Sequence, residues 1–198
     1  EQTLRMQRLV DDLLTLSKLE TAPPRTHDET VDVTALLAGL KEQAEIVSGE
    51  QRHVVSVEAD RHLQLLGSRD ELLSAFSNLV NNAVRYTPAG GRIALQWKAA
   101  PDGGASFSVA DTGEGIALDH IPHLTERFYR VDTARSRASG GTGLGLSIVK
   151  HVLLRHQAGL VVDSTPGSGS TFSVRLPAKR VRAVRAWRSC TKQPATAP

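Results

Sequence analysis

Asn78-Leu79-Val80-Asn81-Asn82-Ala83-Val84-Arg85-Tyr86-Thr87-Pro88 is the stretch on which the fold turns. Asn78, Asn82 and Arg85 stand at i, i+4 and i+7, so a helix projects them from one face. Leu72, Phe76, Leu79 and Ala83 fall on the opposite face and ask for an apolar partner. Ser68-Arg69-Asp70-Glu71 is a capping box that opens this helix. Thr87-Pro88 and Gly90-Gly91 close it. Taken alone, the pattern also describes an ordinary amphipathic helix with a solvated polar face. Asn81 lies near the same face by angle, so spacing does not choose between Asn81 and Asn82.

Working outward, residues 92–98 and 105–111 alternate as a strand pair turned at Pro101-Asp102-Gly103-Gly104. Residues 160–164 and 171–176 form a last hairpin around Pro166-Gly167-Ser168-Gly169. Residues 144–156 read as a helix. Upstream, residues 30–33, 54–57 and 63–66 are strand candidates. A helix over 34–47 is ended by Gly49. The expectation is a two-layer α/β sandwich with a mixed sheet and helices packed on it.

Two further segments accompany the asparagine helix. Asp111-Thr112-Gly113-Glu114-Gly115 ends a buried-looking strand in a carboxylate beside a glycine turn. Such a carboxylate can accept a charge-assisted hydrogen bond, and the glycines allow close backbone approach. A bare strand followed by a glycine turn would look the same. Gly140-Gly141-Thr142-Gly143-Leu144-Gly145 runs straight into a helix, whose free N–H groups bind phosphate. It is a poor dinucleotide fingerprint, because the upstream residues are polar and arginine-bearing rather than a strand. No Gly-Lys-Ser/Thr follows, so it is not a Walker loop.

In this order the three segments signal ATP bound with magnesium. Magnesium takes oxygen ligands, many of them from phosphates and water, so a neutral amide suffices on the protein. Arg85 suits a phosphate oxygen, Tyr86 an adenine face, and Asp111 the adenine amino group.

Composition narrows the rest. The 198 residues carry a net charge of +3, but Lys179, Arg180, Arg182, Arg185, Arg188 and Lys192 crowd the end of the chain with no acid among them. Without those six charges, residues 1–177 are acidic by three, and no nucleic-acid surface is expected. The lone Cys190 cannot form an internal disulfide and fits a reducing compartment. No apolar run approaches a membrane span. Residues 4–19 read as an amphipathic helix with Met6, Leu9, Leu13 and Leu16 on an a/d seam. Such a helix needs a partner, expected to lie upstream. Pro23-Pro24 ends it.

Together these segments resemble the catalytic domain of the sensor histidine kinases of two-component systems. Asn78–Asn82 is similar to the family's N box, Asp111–Gly115 to its G1 box and Gly141–Gly145 to its G2 box. Glu126-Arg127-Phe128-Tyr129-Arg130-Val131-Asp132 is similar to its F box. Leu14–Glu20, Ser77–Val80 and Leu124–Arg130 resemble the phosphate-regulon branch in particular.

The resemblance implies the Bergerat-type sandwich. It also implies an organisation: residues 1–22 as the C-terminal helix of the dimerisation and histidine-phosphotransfer bundle, 23–29 as linker and 30–177 as the catalytic ATP-binding domain; residues 178–198 read by composition as a basic, disordered tail. It implies Asn82 as magnesium ligand supported by Asn78, and Arg85 on phosphate. It puts Tyr86 and Ile116 against adenine, Asp111 on the adenine amino group, Phe128 as lid anchor and Arg130 toward the γ-phosphate. Gly113, Gly115, Gly141, Thr142, Gly143, Leu144, Gly145 and Leu146 would frame the nucleotide.

Hydrolases of this fold resemble one another in a glutamate four residues before the magnesium asparagine. That place is Asn78 here, which cannot accept a proton, so transfer to histidine is expected over hydrolysis. The family's acceptor pattern, His-Glu/Asp-x-x-Thr/Asn-Pro, fits none of the seven histidines. His27-Asp28-Glu29-Thr30 comes nearest but has Val31 at the Thr/Asn position. His151 and His156 are expected on the surface or at helix flanks. The implied partners are dimerisation helices carrying the acceptor histidine in a homodimer, and a response regulator. The implied location is the cytoplasmic portion of a bacterial inner-membrane sensor, tied to the membrane only through upstream sequence.

Overall fold

The structure is a computed structural model that describes residues 2–23, 28–131 and 141–184. His27, Asp132, Gly140 and residues 185–198 lie outside the described residues.

The elements run α1 (Gln2–Thr21), β1 (Glu29–Val31), α2 (Val33–Ser48), β2 (Val54–Ala59), β3 (Leu63–Gly67) and α3 (Arg69–Tyr86). They continue with β4 (Arg92–Ala99), β5 (Ala105–Asp111), α4 (Gly145–Arg155), β6 (Gly159–Thr165), β7 (Gly169–Leu176) and β8 (Val181–Ala183). Five strands form a mixed sheet in the order β2-β4-β5-β7-β6, with β2 and β4 parallel and the other pairs antiparallel. Helices α2 and α3 pack on it, and α3 packs on α4. The expected α/β sandwich is therefore present.

Alternation along β4 and β5 buries Ile93, Leu95 and Trp97 against Phe107 and Val109. Phe76 of α3 stacks on Phe107 with ring centroids 4.0 Å apart, which fixes the helix over the middle of the sheet. Leu72, Phe76, Leu79 and Ala83 are all buried, so the asparagine face of α3 is left outward. Gly49 ends α2 in the left-handed region, as expected of a glycine in that place.

Two expectations are corrected. The chain does not leave the fold at Pro177. Ala178–Arg180 makes a short 3-10 turn, and β8 pairs antiparallel with β3, giving a second sheet in the order β1-β3-β8. Arg180 reaches back to the Asp28 carboxylate. Basic residues here serve as strand and ion-pair partners, which a charge count alone cannot show. The seam on α1 is also divided. Leu16 is buried and Leu9 half-buried, whereas Met6 and Leu13 are 68% and 41% exposed. The surface that α1 meets is α4, and it takes the stripe containing Leu16 and Leu19.

Candidate functional site

The last turns of α3, the end of β5 and the entrance to α4 enclose a cavity of about 830 Å³. Every site residue singled out in the sequence lines it except Gly113, Phe128 and Leu144. Those three act from behind. Gly113 is buried, and its N–H donates to Asp111 Oδ1 at 2.8 Å. Leu144 is fully buried as the residue before α4. Phe128 is 57% exposed, against the expectation that its side chain anchors the glycine loop. Its backbone does that instead: at φ 62° its N–H donates to Gly143 O at 2.9 Å.

Asp111 is set by strand register. β5 and β7 pair Asp111 with Ser170, whose N–H donates to Asp111 Oδ1 at 3.3 Å. With Gly113 this puts two backbone donors on one carboxylate oxygen. Burial raises the Asp111 pKa above the ordinary 3.8, and the hydrogen bonds from Gly113 and Ser170 oppose that rise. Ser164 Oγ accepts from the Ile116 N–H at 2.8 Å and pairs with Ser170 Oγ at 2.9 Å. Ile116 is thereby fixed beside Asp111. Gly115, at φ 69°, passes so close to β6 that a Cβ there would stand 2.0 Å from Thr165 O. A side chain at that position cannot be accommodated.

The glycine loop meets α3 directly. A Cβ on Gly145 would lie 2.5 Å from Asn78 Oδ1. A Cβ on Gly141 would lie 2.6 Å from Arg85 Nη1 and 3.6 Å from Arg130 Nη2. Two guanidinium groups therefore converge on the start of the loop, in the cavity that Gly145 and Leu146 at the start of α4 also line. That is a setting for an oxyanion of high charge. Asn78 Nδ2 donates to Ser74 O at 2.9 Å, which turns its carbonyl oxygen toward Gly145. Asn81 and Asn82 both line the cavity.

Among the described residues, no group of three or more His, Cys, Asp or Glu side chains is placed to hold a metal ion. The amide oxygens of α3 suit a hard cation that brings its remaining oxygen ligands with it. No helix among the described residues is long and apolar enough to cross a membrane.

Sequence reasoning missed Ser164, Ser170, Tyr129, Arg8 and Asp12. The two serines are found only through strand register. Tyr129 lines the cavity with its hydroxyl 2.7 Å from His120 Nδ1. Arg8 and Asp12 come from α1, far along the chain, and no local signal marks them.

The sequence model of the histidine kinase-, DNA gyrase B-, and HSP90-like ATPase family matches residues 67–180. The phosphate regulon sensor protein PhoR of Pseudomonas aeruginosa is 50% identical over 186 residues, covering 93% of this chain and 42% of that protein. The sensor-like histidine kinase SenX3 of Mycolicibacterium smegmatis is 36% identical over 173 residues, covering 87% and 45%. Full-length ShkA in complex with AMPPNP superposes with a TM-score of 0.79 at 27% identity, over 90% of this chain and 37% of that one. The mycobacterial sensor histidine kinase MprB gives 0.68 at 28% identity, over 79% and 99%. The chain spans less than half the length of these curated relatives. By the family match, which takes in more than half of its residues, the chain belongs to the histidine kinase-, DNA gyrase B-, and HSP90-like ATPases, and its likeness within them is to the catalytic ATP-binding domains of PhoR-like sensor histidine kinases.

Proposed function

We propose that this domain binds ATP with magnesium and transfers the γ-phosphoryl group to a histidine on a dimerisation helix outside the chain. The phosphoryl group then passes to an aspartate of a response regulator, in phosphate-starvation signalling. The observation that carries this reading is the convergence of Arg85 and Arg130 on Gly141 in the same cavity that presents the Asp111 carboxylate. Asp111 accepts from the adenine amino group through a hydrogen bond to a charged acceptor. Tyr86 and Ile116 bracket the base. Arg85 and the loop Gly141-Thr142-Gly143-Leu144-Gly145-Leu146 hold the phosphates, and Arg130 meets the γ-phosphate.

Asn82, supported by Asn78, offers an amide oxygen to magnesium carried in by the triphosphate. Bound there, the ion would neutralise charge that develops on the phosphates. What the chain's own residues contribute is position and charge complementarity, which is most of what phosphoryl transfer requires. An imidazole acceptor brings its own lone pair and needs no base. Asn78 supplies none, whereas an attacking water would want one.

The test uses γ-labelled ATP and magnesium, with and without a separately made hairpin bearing an acceptor histidine. Label on the hairpin supports transfer in trans. Phosphate release without the hairpin, and no labelled protein, would favour a hydrolase. Nucleotide binding with neither outcome would mark a regulatory module.

A further inference from the structure

Arg8, Asp12, Leu16 and Leu19 recur at i, i+4, i+8 and i+11 and so share one stripe of α1. The lower half of the stripe is apolar and buried on α4. Its upper half is polar and lines the nucleotide cavity. There the Thr142 hydroxyl donates to Asp12 Oδ2 at 2.6 Å. The same hydroxyl oxygen accepts from the Leu144 N–H at 3.3 Å. A short relay thus runs from a carboxylate on α1, through a hydroxyl in the glycine loop, to the residue that precedes α4. Helix α1 is held in that place from its other end. Glu20 pairs with Arg127 and with His151 Nε2 at 3.2 Å, and Arg155 Nη1 donates to Ala22 O at 3.1 Å.

We propose that Asp12 is a positioning residue for nucleotide binding, acting through Thr142, so that α1 completes the phosphate end of the site. Donation to Asp12 fixes the Thr142 rotamer and orients its oxygen toward the Leu144 N–H. The loop is then set before any ligand arrives. The unpaired N–H groups of the first turn of α4, from Gly145 onward, stay directed to the phosphates. Arg8, one turn away on the same face, offsets the negative charge of Asp12 beside a triphosphate. The inference rests on the reading of this cavity as a nucleotide site.

Calorimetry on the full 198-residue chain separates the two, with MgATP and, as a phosphate-free probe, adenosine. Asp12→Ala and Thr142→Val each weaken MgATP roughly tenfold, the scale of one hydrogen bond to a charged group, and leave adenosine within about twofold. The double variant is no weaker than the worse single one, because both remove the same contact. Thr142→Ser recovers most of what Thr142→Val loses. Tighter MgATP binding by Asp12→Ala, the result of simple charge repulsion, would overturn the inference. Equal losses for MgATP and adenosine would overturn it as well, since they mean general damage to the fold. If the unaltered chain binds MgATP and the variants match it, this inference fails alone. If the unaltered chain binds no MgATP, the nucleotide reading fails and takes the inference with it.

Discussion

Ser68 and His156 are 88 residues apart, and the Ser68 N–H donates to His156 Nε2 at 3.1 Å. The ring is fully buried, and its Nδ1–H donates to Val152 O at 2.8 Å. Both contacts require the neutral tautomer with its proton on Nδ1. His156 caps the end of α4, so it flanks a helix as expected, but it is buried rather than on the surface. It also changes the capping box of α3. Ser68 Oγ accepts from the Glu71 N–H at 3.3 Å, as the motif demands. The Ser68 amide goes to His156, and Glu71 pairs with Arg155 Nε at 3.1 Å. Gly67 makes room, since a Cβ there would lie 2.7 Å from His156 Cδ2.

His156→Ala leaves a buried amide unpaired and opens a cavity between α3 and α4. The expected loss is about 2–4 kcal/mol, the sum of an unsatisfied donor and a truncated buried ring. Urea unfolding should show an earlier midpoint with an unchanged slope. A loss under about 0.5 kcal/mol would place the ring among dispensable surface groups.

Asp111→Asn keeps an oxygen for the Gly113 and Ser170 amides, so the apo fold should persist, while the charged acceptor is lost. MgATP affinity should fall by about 1.5–3 kcal/mol. In the unaltered chain the carboxylate must be ionised to act. Affinity should therefore hold at neutral pH and fall as pH drops through the raised pKa, starting at less acid pH than an ordinary aspartate of pKa 3.8 would give. Stability runs the other way. A raised folded pKa gives a stability contribution that is complete below the unfolded pKa and lost as pH rises through the folded one. Asp111→Asn should thus be neutral or slightly stabilising at pH 7 without ligand. A pH profile of affinity identical in both proteins would remove Asp111 from the site.

Helix α3 and both hairpins were legible because their signals are local. The capping box, the 3.6-residue stripe ending in Ala83 and the glycine turns each sit within a few residues. The glycine loop and Asp111 were legible for the same reason. What the sequence hid depends on pairing between distant segments. Ser170 reaches Asp111 only through the β5–β7 register, and Thr142 meets Asp12 across 130 residues. The order of residues 178–183 was hidden by composition. Six bases without an acid read as a solvated tail, yet Val181 supplies a β-branched partner for Leu65 of β3, and Arg180 finds Asp28.

Asn82→Ala should weaken nucleotide binding measured with magnesium more than binding measured with a chelator present. The lost amide oxygen matters only when the ion arrives with the triphosphate. Asn81→Ala is the needed comparison, because both asparagines line the cavity. Titrations of each variant with and without magnesium will show which one carries the metal dependence. Equal losses in both conditions would exclude Asn82 as a ligand, and a magnesium-selective loss in Asn81→Ala alone would move the role there.

Gly115 and Gly90 offer a matched pair for measuring close approach. Both have positive φ, 69° and 76°. A Cβ on Gly90 meets nothing within 4 Å, while one on Gly115 stands 2.0 Å from Thr165 O and 2.6 Å from Thr165 C. Gly90→Ala should therefore show only the left-handed penalty, roughly 1–2 kcal/mol. Gly115→Ala carries that penalty plus a backbone overlap that no rotamer relieves, so its thermal midpoint should fall well below that of Gly90→Ala. Because Gly115 sits between Asp111 and Ile116, the variant should also bind MgATP more weakly in the temperature range where it remains folded. Equal midpoints for the two variants would mean that β6 can move away from the turn, and that the tight packing here is not what fixes the adenine end of the cavity.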